Sequence, residues 1–161
     1  MPQILKNNQV IDDNWIMVDD SSDSLPQGNI LLSYEQWQTF ADQLNNHKGK
    51  LGVWLDGHAE IEQLVEPLLE LPLIAINFPK FADGRGFSSA RLIKERYNYQ
   101  GELRAIGGFI RDQLYLLKRC GFNAFQFSNE TELADAAESL KDFSENYQVS
   151  ADQESPLFRR R

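Results

Sequence analysis

The sequence predicts an α/β domain with a mostly parallel sheet of βαβ units, and three observations carry that expectation. Leu51-Gly52-Val53-Trp54-Leu55 and Leu73-Ile74-Ala75-Ile76 are short apolar runs of the kind that strands buried on both faces require. Ile61, Leu64, Val65, Leu68 and Leu69 recur between them at helical spacing, with Pro67 bounding or kinking the stripe. Strand-like and helix-like segments go on alternating beyond, the pattern of parallel strands joined by crossover helices. A complete eight-fold barrel takes roughly 250 residues. The 161 residues present leave a Rossmann-like open sheet or a half-barrel that pairs with another chain. The open sheet is the expectation.

Residues 1–32 read as a small N-terminal β unit. Gln9-Val10-Ile11 and Trp15-Ile16-Met17-Val18 are β-prone, with Asp12-Asp13-Asn14 as a turn between them. Residues 19–24, followed by Pro26 and Gly28, are loop by composition, and Asn29-Ile30-Leu31-Leu32 is a strand. Ser33 and Gln36 have capping-box spacing, and the helix they open buries Trp37, Phe40, Ala41 and Leu44. A loop over 78–87 leads to a helix over 88–96, then a strand over 102–106. A helix over 109–120 ends at Gly121; a strand over 124–127 and an amphipathic helix over 131–143 follow. Residues 1–144 thus form a single domain, and 145–161, lacking apolar periodicity, a flexible tail.

Composition narrows the function classes. No apolar stretch approaches the roughly 18 residues of a membrane span, and the first eight residues lack a secretory h-region, so a cytoplasmic protein is expected. The lone Cys120 excludes an internal disulfide and any all-cysteine metal or iron–sulfur site within this chain. A net charge of −8 argues against nucleic acid or an anionic membrane as partner. That charge is uneven: residues 80–119 carry nine Lys/Arg against four acids, a balance of +5, and the remainder is −13. A basic segment in an acidic protein points to an anion site.

Ligands of parallel sheets bind beyond the carboxyl ends of the strands. There the loop over 78–87 is the richest in suitable chemistry. Gly84 and Gly86 permit positive φ and leave amides accessible, and Ser88 or Ser89 can cap the next helix, whose N-terminus favours an anion. Lys80 and Arg85 add positive charge, and Arg85 can hold an oxyanion through two parallel hydrogen bonds. Sulfite, sulfate, phosphate or a carboxylate fits equally. The plainer alternative is a glycine-rich turn in which Asp83 and Arg85 pair with each other or with neighbouring loops. Arg111, Asp112 and Gln113 follow the next strand; Asp112 and Glu102 are acid/base candidates or neutralise Arg111 and Arg104, with neutralisation favoured by the arginine excess.

Weaker signals are set aside. Residues 84–89 nearly spell a dinucleotide fingerprint, but Ser89 stands where the third glycine belongs, and no cofactor is expected. Asp56, His58 and Asp83 lack metal-ligand spacing, so no metal is expected. Cys120, beside Lys118 and Arg119 at a helix C-terminus, reads as a structural thiol.

Over residues 78–125 the chain contains Phe-Pro-Lys-Phe-Ala-Asp-Gly-Arg-Gly-Phe-Ser-Ser-Ala-Arg-Leu-Ile-Lys-Glu-Arg, then Gly-Glu-Leu-Arg-Ala-Ile-Gly, Arg-Asp-Gln-Leu and Arg-Cys-Gly-Phe-Asn-Ala-Phe. These strings closely resemble a bacterial domain-of-unknown-function family whose members are labelled oxidoreductases of sulfite reduction, being encoded beside sulfite reductase. The pattern departs at Gly108, where the family has an acid, and at Asn123, where it has Asp. The resemblance implies a pathway rather than a mechanism: an accessory protein contacting sulfite reductase or its electron donor. It also groups Asp83, Arg85, Arg104, Arg111, Asp112 and Gln113 into one constellation. Two other readings stand beside it. One is a small oxyanion-binding enzyme with Arg85 and Arg111 as clamps and Asp83 or Asp112 as acid/base; the other is an inert half-barrel that forms a homodimer.

Overall fold

A computed structural model describes residues 2–21, 23–79, 84–109 and 111–142. The strands are β1 (Gln3–Lys6), β2 (Gln9–Asp12), β3 (Trp15–Met17), β4 (Asn29–Ser33), β5 (Leu51–Asp56), β6 (Leu73–Phe78), β7 (Glu102–Gly107) and β8 (Ala124–Phe125). The helices are α1 (Tyr34–Thr39), α2 (Ala41–Leu44), α3 (Ile61–Leu64), α4 (Arg85–Arg91), α5 (Leu114–Arg119) and α6 (Glu130–Asp142). Short 3₁₀ turns at Glu66–Leu68 and Arg111–Gln113 and a π-helical turn at Leu92–Arg96 join them.

All eight strands belong to one sheet, in the order β2-β1-β8-β7-β6-β5-β4-β3. Neighbours from β3 to β8 are parallel and stand in chain order, while β1 runs antiparallel to both β2 and β8. Sequential order sends every right-handed crossover to the same face. The helices therefore cover one side and the sheet curls into a half-barrel. This overturns the expected open sheet: a doubly wound sheet reverses its strand order at a switch point and divides its helices between two faces.

The curl is tied covalently. A flat eight-stranded sheet would separate its edge strands by roughly 34 Å. Asp12 and Trp15, which end β2 and begin β3 at opposite ends of the order, are three Cα steps apart and can span at most about 11 Å. The two edges are thus held together where Asp13 and Asn14 pass between them. The β unit expected over 1–32 contributes its strands to this one sheet. Its turn at 12–14 joins two strands that do not pair, and the hairpin lies instead between β1 and β2, closed by Asn7 and Asn8 at φ 51° and 68°. Two successive positive φ values are the signature of a type I′ turn, which asparagine tolerates.

Alternate residues of the central strands divide between the two faces of the sheet, while Ile30 and Leu32 of β4 pack with Val18 and Leu44. Val53, Leu55, Ile74, Ile76, Leu103 and Ala105 face the helices and pack with Ile61, Val65, Ile93, Leu114 and Leu117. Leu31, Leu73, Ala75 and Ile106 form the inner face with Trp15 and Trp54. The capping box is formed: Ser33 N–H donates to Gln36 Oε1 (2.8 Å), and Gln36 N–H donates to Ser33 Oγ (3.1 Å). Ser33→Ala should therefore lower stability by about 1 kcal/mol, read as a shift in urea midpoint at unchanged slope.

Candidate functional site

Successive strands deliver polar groups to the carboxyl rim of the sheet. Asn77 Nδ2 donates to Asp56 Oδ1 (3.1 Å), Gly57 N–H donates to the Asn77 carbonyl (2.9 Å), and Ser128 Oγ donates to the Gly107 carbonyl (3.1 Å). Beside them, where β4 turns into α1 and β5 leads to α3, lies a groove of about 820 Å³. Tyr34, Phe40 and Trp54 supply its aromatic lining, and Asp20, Asp23, Glu35 and Asp56 its charge, with His58 as the basic residue among them. None of the four carboxylates forms an ion pair with a described residue. Gln36 shapes the groove from beneath. Its Oε1 is held by the Ser33 N–H, and its Nε2 donates to the carbonyls of Val18 (3.3 Å) and Asp19 (3.1 Å), drawing those two residues against α1. The Trp54 indole nitrogen is buried without an acceptor among the described residues.

Lys80 and Asp83 lie outside the described residues. Helix α4 starts at Arg85, three residues before the predicted boundary, so Ser88 and Ser89 sit inside it instead of capping it. Gly84 is the N-cap, exposed and at φ −85°, and neither it nor Gly86 takes positive φ. Gly86 serves packing: a Cβ there would stand 2.3 Å from Cε1 of the buried Phe78 ring. Arg85 and Ser88 are exposed on this helix, while Ser89 is buried and its Oγ donates to the Gly57 carbonyl (3.2 Å).

Arg104 stands apart from that helix. It is 1% exposed on the inner face of β7, and its Nε and Nη2 each reach Glu102 Oε2 at 2.8 Å. Its Nη1 donates to Asp13 Oδ2 (3.2 Å) and Gln126 Oε1 (3.1 Å), while Lys6 Nζ lies 2.7 Å from Glu102 Oε1. Two carboxylates of the chain itself thus neutralise Arg104. Arg111, half exposed, lies 3.5 Å from Asp135 and 3.8 Å from Asp112. Gln113 ends that 3₁₀ turn, partly buried.

The groove lined by Asp20, Glu35 and Asp56 is absent from the sequence reading, which took 19–24 as loop and weighed Asp56 only as a weak metal-ligand candidate. The excess of acids outside 80–119 was the available signal. Among the described residues, no three His, Cys, Asp or Glu side chains are grouped to hold a metal ion, and no helix is long and apolar enough to cross a membrane. Cys120 is buried, and burial pushes its thiol pKa up despite a side-chain hydrogen bond from Arg91. Iodoacetamide at pH 8 should alkylate native Cys120 far more slowly than the same residue in urea.

Residues 52–158 match the model of a family described as a bacterial protein of unknown function (DUF934), and the chain belongs to that family. No curated protein matches it.

Proposed function

We propose, starting from that membership, that the protein is an accessory component of assimilatory sulfite reduction that docks on sulfite reductase or its electron donor. The pathway comes from the resemblance of the strings over 78–125. Docking, in preference to turnover of a sulfur oxyanion, is supported chiefly by one observation. Arg104 and Arg111, two arginines of the expected anion-binding constellation, are matched by carboxylates of the chain itself, while the acids of the groove at the strand ends form no ion pair with a described residue. A surface of that sign favours a basic partner through steered encounter. Pull-down from a native lysate at low salt should retain sulfite reductase or its donor and release it near 0.5 M salt. A deletion strain that grows normally on sulfate as sole sulfur source would count against the role.

A second reading is favoured by the exposure of Gly84, Arg85 and Ser88 together at the start of α4. It is an oxyanion site there, with Arg85 as clamp. On this reading sulfite at 100 times its Kd raises stability by about 2.7 kcal/mol, and Arg85→Ala removes the gain. A thermal-shift screen over sulfite, sulfate and phosphate decides it, since no shift with any of them eliminates the site.

A further inference from the structure

We propose that the cavity where the parallel strands begin, at the end of the half-barrel opposite the acidic groove, binds a small zwitterion of the free α-amino acid class. The cavity measures about 370 Å³, at the small end of the roughly 300–1,000 Å³ of small-molecule sites. Consecutive strand starts build its wall: Asn29 opens β4, Lys50 precedes β5, Pro72 precedes β6, Glu102 opens β7 and Asn123 precedes β8. The 12–15 link between the sheet edges completes it. Hydrogen bonds hold the wall in place. Asn29 Oδ1 accepts the Lys50 N–H (3.0 Å), Ile30 N–H donates to the Lys50 carbonyl (3.0 Å), and Glu102 N–H donates to the Pro72 carbonyl (3.0 Å).

Six charged side chains line the cavity, three of each sign: Lys6, Lys50 and Arg104 against Asp12, Asp13 and Glu102. Ion pairs consume four of them. Arg104 holds Asp13 and Glu102, and Lys6 holds Glu102 as well. Arg104, Asp13 and Glu102 are all buried, so this part of the charge pattern is fixed before any ligand arrives. Lys50 and Asp12 remain. They are exposed, opposite in sign, and form no ion pair with each other or with any other described residue.

That remainder selects the ligand class. A singly charged molecule meets one attractive and one repulsive unpaired group, whereas a zwitterion satisfies both. Lys50 takes the carboxylate and Asp12 the ammonium, through charge-assisted hydrogen bonds. Ile4, Ile11 and Trp15 add apolar surface to the same cavity, which suits an uncharged aliphatic side chain.

Titrating the ¹⁵N-labelled full chain with L-alanine, L-valine and L-leucine tests the site, with N-acetyl-L-valine and L-valinamide as single-charge controls. With at least one of the three amino acids, amide signals of Asp12, Asp13, Trp15, Lys50 and Glu102 should shift saturably below about 20 mM, and hardly at all with either control. Lys50→Ala and Asp12→Asn should each weaken binding by at least about tenfold, the loss of one charge-assisted contact. Lys50→Arg should restore most of it. Both residues are exposed and stand outside the buried ion pairs, so the urea midpoints of the variants should match the parent's, separating lost binding from lost fold. A cavity that holds only water overturns the proposal: none of the three amino acids then moves these signals. A response to either control equal to that of L-valine overturns it too, as do saturable shifts that survive both substitutions.

Discussion

Replacing Arg104 with alanine is expected to destabilise the protein by about 3–5 kcal/mol, because it strips the counter-charge from carboxylates the fold has buried. Asp13 and Glu102 side chains are 6% and 8% exposed. Glu102 keeps Lys6 as a partner, but Asp13 has no other cation in an ion pair among the described residues. Asp13 also sits in the two-residue link that draws the sheet edges together, so the loss falls on closure of the half-barrel. Urea denaturation at pH 7 measures the effect. Arg104→Met combined with Asp13→Asn should recover part of it, since removing both charges spares the cost of leaving one unpaired. If Arg104 were instead an anion clamp, Arg104→Ala would leave the midpoint nearly unchanged and abolish only ligand binding.

Gly107→Ala is the second large effect, at about 2–4 kcal/mol from backbone strain and overpacking together. Gly107 has φ +93°, and a Cβ there would stand 2.3 Å from Asn77 Oδ1 and 2.6 Å from the Phe78 carbonyl oxygen. Relief requires Asn77 to move, which breaks its bond to Asp56 and disturbs the rim of the acidic groove. Gly84→Ala is the matched control: φ is −85° and a Cβ meets nothing within 4 Å. Its thermal midpoint should stay level or rise slightly, because alanine restricts the unfolded chain.

How far the fold was legible follows from the range of each interaction. The apolar runs of β5 and β6, the Ser33–Gln36 box and the Gly121 stop are local, and residues within a few positions of each other determine them. The partner of β1 is not local. Leu5 pairs with Phe125 and Lys6 with Ala124, and no periodicity within a short window encodes that choice. The Asn7-Asn8 turn was a readable signal, since adjacent asparagines suit two positive φ values, yet the acidic run at 12–14 was taken as the turn instead. The early start of α4 was obscured for a different reason: Gly84 and Gly86 suggested loop, whereas Gly86 is small because Phe78 fills the space its side chain would occupy.

The candidate site was legible as charge and misassigned in space. Counting bases over 80–119 treated Arg104 and Arg111 as neighbours of Arg85. Strand direction and side-chain alternation put Arg104 on the inner face against Asp13, a residue 91 positions away in sequence. Pairings of that span cancel charge that a linear count reports as available. The acids of the groove, by contrast, are drawn from three separate segments around residues 20, 35 and 56, and only the stacking of β4 beside β5 gathers them.

The placement of β1 beside β8 has a consequence for biosynthesis. The β1–β2 hairpin is synthesised roughly 120 residues before its antiparallel partner β8, and long-range pairings of this kind slow folding. During translation the hairpin must wait with one edge open, and the curled sheet can acquire its final circumference only after Phe125 has emerged. Nascent chains arrested before that point should be protease-sensitive throughout, and resistance should appear in a single step once the closing strand is released.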